Sequence, residues 1–143
     1  MPPAVVVLLA TCLASAATAR PATAQTKSVD LWLGGRETTV DVVVPDGEAR
    51  DAVVLAHGFT RHRGTLIGHA ERLARAGFLV AVPDLPYFWH SGDNARALRD
   101  LVRVLVEGKA APPVARVVLV GFSAGGLAAL LAADAPGVAG YVG

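Results

Sequence analysis

One cysteine, Cys12, stands in 143 residues. An internal disulfide is therefore unavailable, and no CxxC pair or Cys/His cluster has metal-ligand spacing, so neither a metal nor another cofactor is expected. Charge is also scarce: 13 Lys and Arg against 12 Asp and Glu leave a net +1. Nucleic acid or an anionic membrane surface would call for clustered basic residues, and neither partner is expected. No apolar run reaches the ~20 residues that span a bilayer, which argues against a stable membrane anchor. Internal repeats are missing, and so are low-complexity tracts beyond the first two dozen residues. What remains is 53% apolar, a globular, core-rich composition of a length suited to one domain.

The N-terminus differs from the rest. Ala4 to Ala10 is an unbroken apolar run, followed by the small residues Ala14 to Ala19 and by Ala22-Thr23-Ala24. An apolar stretch followed by an A-x-A site fits an export signal, although no Lys or Arg precedes it. Residues 1–24 are read as that signal, with cleavage after Ala24 and Ala17-Thr18-Ala19 as a second possible site, which implies a secreted or periplasmic protein. Cys12 follows Leu9-Ala10-Thr11; Thr11 is larger than the residue a lipoprotein site usually carries, so an ordinary cysteine within the signal is the better reading.

From Ser28 onward, strand patterns come first and then alternate with helical ones. Val29 to Leu33 and Thr39 to Val44 flank Gly34-Gly35 as an antiparallel hairpin. Ala52 to Ala56, Phe78 to Val82 and Arg116 to Val120 are apolar almost throughout, as strands covered on both faces are. Thr65 to Ala76 places Leu66, Ala70, Leu73 and Ala74 on one helical face. A second helix, which Asp93 could cap, carries Leu98, Leu101, Val102 and Leu105 as its stripe. Leu127 to Ala133 reads as a helix buried on several sides, and Val138 to Val142 as one more strand. The order predicts an α/β fold with a mostly parallel sheet, right-handed crossovers and helices on both faces. That last strand would leave an open apolar edge.

Gly121-Phe122-Ser123-Ala124-Gly125 is G-x-S-x-G, set directly between an apolar strand and an apolar helix. The five letters alone are weak. Their setting carries the signal, because so tight a strand-to-helix turn strains the serine backbone and needs small residues on either side. His57-Gly58-Phe59 follows the Ala52 to Ala56 strand. Acyl transfer needs backbone N–H donors fixed in advance for the oxyanion, worth ~3 kcal/mol each, and a loop in this place can supply one. His57 itself reads as a structural histidine bonding loop backbone.

With HGF after the third strand and GFSAGG at the elbow, the chain resembles the N-terminal part of an α/β-hydrolase. Within that superfamily it is similar to dienelactone hydrolase, chlorophyllase and polyester-hydrolase type serine esterases, over residues 25–143. It differs from the hormone-sensitive lipase group, which carries HGGG where this chain has HGFT. The resemblance implies Ser123 as nucleophile and the N–H groups of Phe59 and Ala124 as oxyanion donors, with His57, Gly58, Gly121 and Gly125 supporting the motifs. It also implies a small-molecule or polymeric ester as substrate. The Asp or Glu and the His that complete the family's triad have no counterpart: after Ser123 come one acid, Asp134, at a helix end, and no histidine.

Other residues have weaker claims. Arg61, His62 and Arg63 suit a solvated loop better than a site for an anionic substrate group. Asp84 suits a turn, although strand ends on this side of an open sheet face the ligand crevice. Tyr87-Phe88-Trp89 either walls an apolar substrate site or packs a loop over the core. A dinucleotide site would need glycine at position 123, and no Lys-Ser or Lys-Thr follows to make a P-loop. A catalytically inactive, truncated hydrolase-like chain is the standing alternative. The expectation is a fold cut after about its sixth strand, short of the usual eight, with the acid and histidine in the missing part.

Overall fold

The computed structural model describes residues 23–143. The apolar run at residues 4–10 and the Ala17-Thr18-Ala19 site lie outside the described residues, and Ala22-Thr23-Ala24 straddles their start. The elements run β1 (Ala24–Leu33), β2 (Arg36–Pro45), β3 (Asp51–Ala56), α1 (Ile67–Arg75), β4 (Leu79–Pro83), α2 (Ser91–Val106), β5 (Arg116–Gly121), α3 (Ala124–Ala132) and β6 (Val138–Val142). A 3-10 turn at Arg63–Leu66 leads into α1.

Six strands form one sheet in the order β1-β2-β4-β3-β5-β6. The β1–β2 and β2–β4 pairs are antiparallel, while β3–β4, β3–β5 and β5–β6 are parallel. The mostly parallel α/β architecture expected from the alternation is the one found. Strand geometry sends successive side chains to opposite faces, and in β3 both sets are buried. Val54 and Ala56 join the core beneath α2 and α3, with Leu98, Leu101, Val102, Leu105, Ala128 and Ala132. Val53 and Leu55 join the opposite core beneath α1, with Leu66, Ala70 and Ala74. Each fully buried Leu or Val contributes ~1.5–3 kcal/mol, and two-sided burial explains why these strands read as unbroken apolar runs.

Three details depart from the sequence reading. β1 starts at Ala24, five residues before Val29, through a polar stretch that pairs along its backbone. Asp93 sits within the first turn of α2, paired with Arg96, and His90 takes the cap position. α3 is not covered all round: Ala128, Ala129 and Ala132 are buried, whereas Leu127, Leu130 and Leu131 are exposed. β6 forms the open edge, with Tyr141 and Val142 exposed. Among the described residues no helix is long and apolar enough to cross a membrane.

Candidate active site

β3 and β5 run parallel with Ala56 opposite Gly121, so the loops leaving their carboxyl ends emerge side by side. The Phe122 N–H donates to the Ala56 carbonyl at 3.0 Å, tying the two ends together. A Cβ built on Gly58 would lie 3.0 Å from Phe122 O and 3.4 Å from Ser123 Cβ. The His57-Gly58-Phe59 and Gly121–Gly125 motifs, far apart in the chain, therefore touch.

At the elbow, Ser123 has φ 53° and ψ −118°, a conformation that costs a non-glycine residue ~1–3 kcal/mol. The flanking glycines are sterically required. A Cβ on Gly121 would stand 2.3 Å from Gly125 O, and one on Gly125 would stand 2.3 Å from Ala56 O. No side chain fits either place without displacing backbone. Ser123 is exposed, and among the described residues its hydroxyl makes no hydrogen bond and caps no helix end.

The loop after β3 is held from its carbonyl side. The Gly58 carbonyl accepts from Arg61 N–H at 3.2 Å and from His57 Nδ1 at 2.9 Å, while Leu85 N–H donates to His57 Nε2 at 2.9 Å. A backbone N–H can only donate and a carbonyl can only accept, so the buried His57 carries its proton on Nδ1. A trans peptide points its N–H opposite its carbonyl. Fixing the Gly58 oxygen thus aims the Phe59 N–H the other way. Thr60, third in the turn closed by Arg61, has φ 60°, where such a turn favours glycine. Among the described residues, Thr60 and Ser123 are the only non-glycines with positive φ. Neither the Phe59 nor the Ala124 N–H takes a partner among the described residues. Ala124 opens α3, where backbone N–H groups and the helix dipole favour negative charge.

Of the residues after the loop, Arg61 is exposed and lines the cavity beside the elbow, while His62 and Arg63 are structural. Arg63 donates from its backbone to Asp84 at 2.8 Å, pairs with Asp84 through its guanidinium, and brings Nε within 3.1 Å of Asp41. Asp41 foremost, opposed by partial burial, and then Asp84 raise the Arg63 pKa above its ordinary value. His62 accepts from Gly64 N–H at 3.2 Å to cap the 3-10 turn. Asp134 pairs with Arg99 at 2.6 Å, about 15 Å along α3 from Ser123 at the helical rise per residue. It holds the helix-end role expected of it.

Beside both free N–H groups lies a cavity of about 170 Å³, lined by Gly58, Phe59, Ala124 and Gly125 on one side and by Tyr87 and Phe88 on the other. The aromatic run does not act as one block. The Tyr87 hydroxyl donates to Gly34 O at 2.6 Å, and Arg36 stacks on its ring, so Tyr87 anchors the loop. Phe88 and Trp89 are 64% and 72% exposed. Both pack on Phe59, with ring centroids 4.5 and 4.2 Å away. Phe59 was singled out from sequence for its N–H alone; its ring belongs to the cluster too. Asn94 was missed. Buried, it accepts from Tyr87 N–H at 3.0 Å and donates to Tyr87 O at 2.6 Å. A buried asparagine in a helix's first turn was the available signal.

Comparison with known proteins adds an independent line. Residues 47–142 match the family model described as serine aminopeptidase, S33. A monoacylglycerol lipase of Mycolicibacterium smegmatis is 38% identical over 114 residues, covering 73% of this chain and 40% of the lipase. Among solved structures, a dienelactone hydrolase from Anabaena variabilis superposes with a TM-score of 0.72 at 24% identity, covering 83% of this chain and 62% of the other. The Pyrococcus furiosus esterase Pf2001 gives 0.66 at 21%, covering 81% and 49%. The chain thus spans less than two thirds of each of these relatives.

Proposed function

The chain belongs to the Hydrolase_4 family (serine aminopeptidase, S33) and has the α/β-hydrolase fold, and from that premise we propose that it is the nucleophile-bearing part of a serine hydrolase of carboxylic esters. Ser123 Oγ attacks the ester carbonyl, the carbonyl oxygen takes the negative charge, and the N–H groups of Phe59 and Ala124 receive it. Collapse expels the alcohol and leaves an acyl group on Ser123, which water then removes. The observation that carries this reading is a strained, exposed serine next in the chain to one of two unpartnered backbone N–H groups, those of Phe59 and Ala124, whose residues line one cavity. Tyr87 and Phe88 form its aromatic side, with Trp89 packed against Phe88, and the substrate is a small or polymeric ester. Monoacylglycerol lipase and esterase, the activities for which two similar proteins are named, support ester chemistry.

Attack requires a base to take the Ser123 proton. Among the described residues no histidine or carboxylate bonds to Ser123 Oγ, and His57 is committed to Gly58 and Leu85. We place the base and its acid partner outside these residues. Losing a base costs about 10⁶ in turnover where triads have been dissected, so the 143 residues by themselves are inactive. Ester hydrolysis by the full-length protein that disappears in Ser123→Ala, with no hydrolysis by residues 25–143 alone, is the expected result. Undiminished hydrolysis by the Ser123→Ala protein would overturn the assignment.

Export is proposed with it. Thr23 N–H and Oγ1 donate to Asp46 at 3.1 and 2.5 Å, and Asp46 N–H returns a bond to Thr23 O. Cleavage after Ala24, with Ala17-Thr18-Ala19 as the second possible site, would remove Thr23 and release this clasp along with the signal. N-terminal sequencing of protein made in a secreting bacterium should find Gln25; an intact Met1 on protein kept inside the cell would overturn export.

A further inference from the structure

The cavity beside Ser123 has a definite size and a wall of definite chemistry. About 150 Å³ is enough to accept one benzene molecule, and this cavity, open to solvent and edged by Arg61 and Asn94, measures about 170 Å³. One end carries the two free N–H groups. The other is built by Phe88, leaning on Phe59, with Trp89 set edge-on to Phe88 at 5.3 Å. Offset and edge-to-face arrangements are those aromatic rings adopt with one another, and Phe88 and Trp89 each leave most of their surface free.

The wall is also pre-formed. Both backbone polar groups of Tyr87, immediately before it, are held by Asn94. The Tyr87 hydroxyl is held by Gly34, and Arg36 donates to the Pro86 carbonyl at 3.2 Å. The loop between β4 and α2 is therefore pinned to the β1–β2 hairpin on one side and to α2 on the other. A wall already in place spares the ordering entropy that a mobile loop loses on binding.

We propose that this cavity selects esters carrying one aromatic ring next to the reacting carbonyl over esters carrying a long linear chain, with Phe88 as the specificity-determining residue and Trp89 as the residue that positions its ring. The inference rests on Ser123 being the nucleophile. A phenyl group matches the cavity in size and offers a face to Phe88, whereas a linear eight-carbon chain offers none and runs out into solvent. Loss of a well-placed apolar contact of this kind changes kcat/KM by about tenfold or more.

The test compares benzyl acetate with octyl acetate, and methyl phenylacetate with methyl octanoate, on the full-length protein. In each pair the leaving group or acyl carbon has similar intrinsic reactivity. At least one aryl ester should exceed its octyl partner about tenfold in kcat/KM. Phe88→Leu and Trp89→Leu, at exposed positions that leave the core intact, should lower the aryl value about tenfold through KM and the octyl value less than twofold. Equal or better hydrolysis of both octyl esters, or equal losses for both classes in the variants, overturns the proposal. A second measurement keeps it separate from the Ser123 reading. In Ser123→Ala protein, the emission that vanishes in Trp89→Phe should respond saturably to benzyl alcohol at concentrations where 1-octanol has no effect. An identical response to both, or none to either, overturns the subsite whatever the fate of Ser123.

Discussion

The hairpin joining β1 to β2 and the loops that leave β3 and β5 use the same left-handed backbone with different residues. The hairpin turns on Gly34 and Gly35, at φ 60° and 87°, where glycine adopts positive φ freely. At the ends of β3 and β5 the same region is occupied by Thr60 and Ser123, each at a cost of ~1–3 kcal/mol. A turn that only reverses the chain takes the unstrained residue. A turn that must present a hydroxyl or aim an amide keeps a strained one, and the two-sided core beneath it holds the conformation. The strain falls within one patch, at the carboxyl ends of adjacent strands, and this is what separates a site from a connection here.

Breaking the steric basis of the elbow should have the largest effect. Gly125→Ala sets a Cβ against the Ala56 carbonyl, and overpacking of this kind against fixed backbone costs ~3 kcal/mol. The expected outcome in denaturant unfolding is a loss of that order, or failure to fold, whereas Gly140→Ala, in open space on β6, should be tolerated.

Next comes the amide on the other side of the site. His57→Asn places an amide nitrogen near Nδ1 and keeps the bond to Gly58 O, while His57→Gln reaches the Nε2 position and loses it. We expect kcat within about threefold of wild type for the asparagine variant. The glutamine variant should lose about 10²-fold, the scale of one oxyanion donor, with KM little changed. Equal losses in both variants would show His57 to be packing alone. A smaller effect is expected at Thr60, where glycine removes the strain: Thr60→Gly should gain about 1 kcal/mol in thermal unfolding and keep its turnover.

Much of this was legible in the residues. β3, β4 and β5 announce themselves as apolar runs because both of their faces are covered. The Leu98, Leu101, Val102 and Leu105 stripe is buried as its period requires. The elbow and the HGF loop were found by motif, and strand register brings them together. The remainder failed for particular reasons. Gln25 to Ser28 carry no apolar alternation because β1 is an edge strand whose side chains there are exposed, so backbone pairing and the Ser28 hydroxyl bond to Asp41 extend it. The α3 sequence shows no polar face, yet Leu127, Leu130 and Leu131 lie exposed; hydrophobicity reports what a helix can bury and not what surrounds it. Asp41 and Asp84 act through Arg63, more than 20 residues from either, which no local pattern encodes.

The smallest expected effect lies at the amino end of the same parallel strands. Arg116 Nε and a terminal guanidinium nitrogen donate to Asp51 at 3.0 and 2.8 Å, and these bonds, ahead of plain charge attraction, hold the Asp51 pKa below its ordinary value. A carboxylate with a lowered folded-state pKa adds stability above its unfolded pKa and loses it as pH falls through the folded one. Melting temperature should therefore decline slightly below about pH 4, from the ordinary aspartate value, and less so in Asp51→Asn. The pair is exposed, so salt should shrink the difference.

Ser123 is proposed to be both strained and nucleophilic, and one substitution examines both properties. Full-length wild type and Ser123→Gly are treated with a fluorophosphonate, the adduct is mapped by mass spectrometry, and both proteins are melted. An adduct on Ser123 is expected in the wild type and none in the variant, which should melt a few degrees higher because glycine accepts φ 53° without cost. An adduct persisting in Ser123→Gly, or a variant that melts lower than wild type, would contradict that expectation.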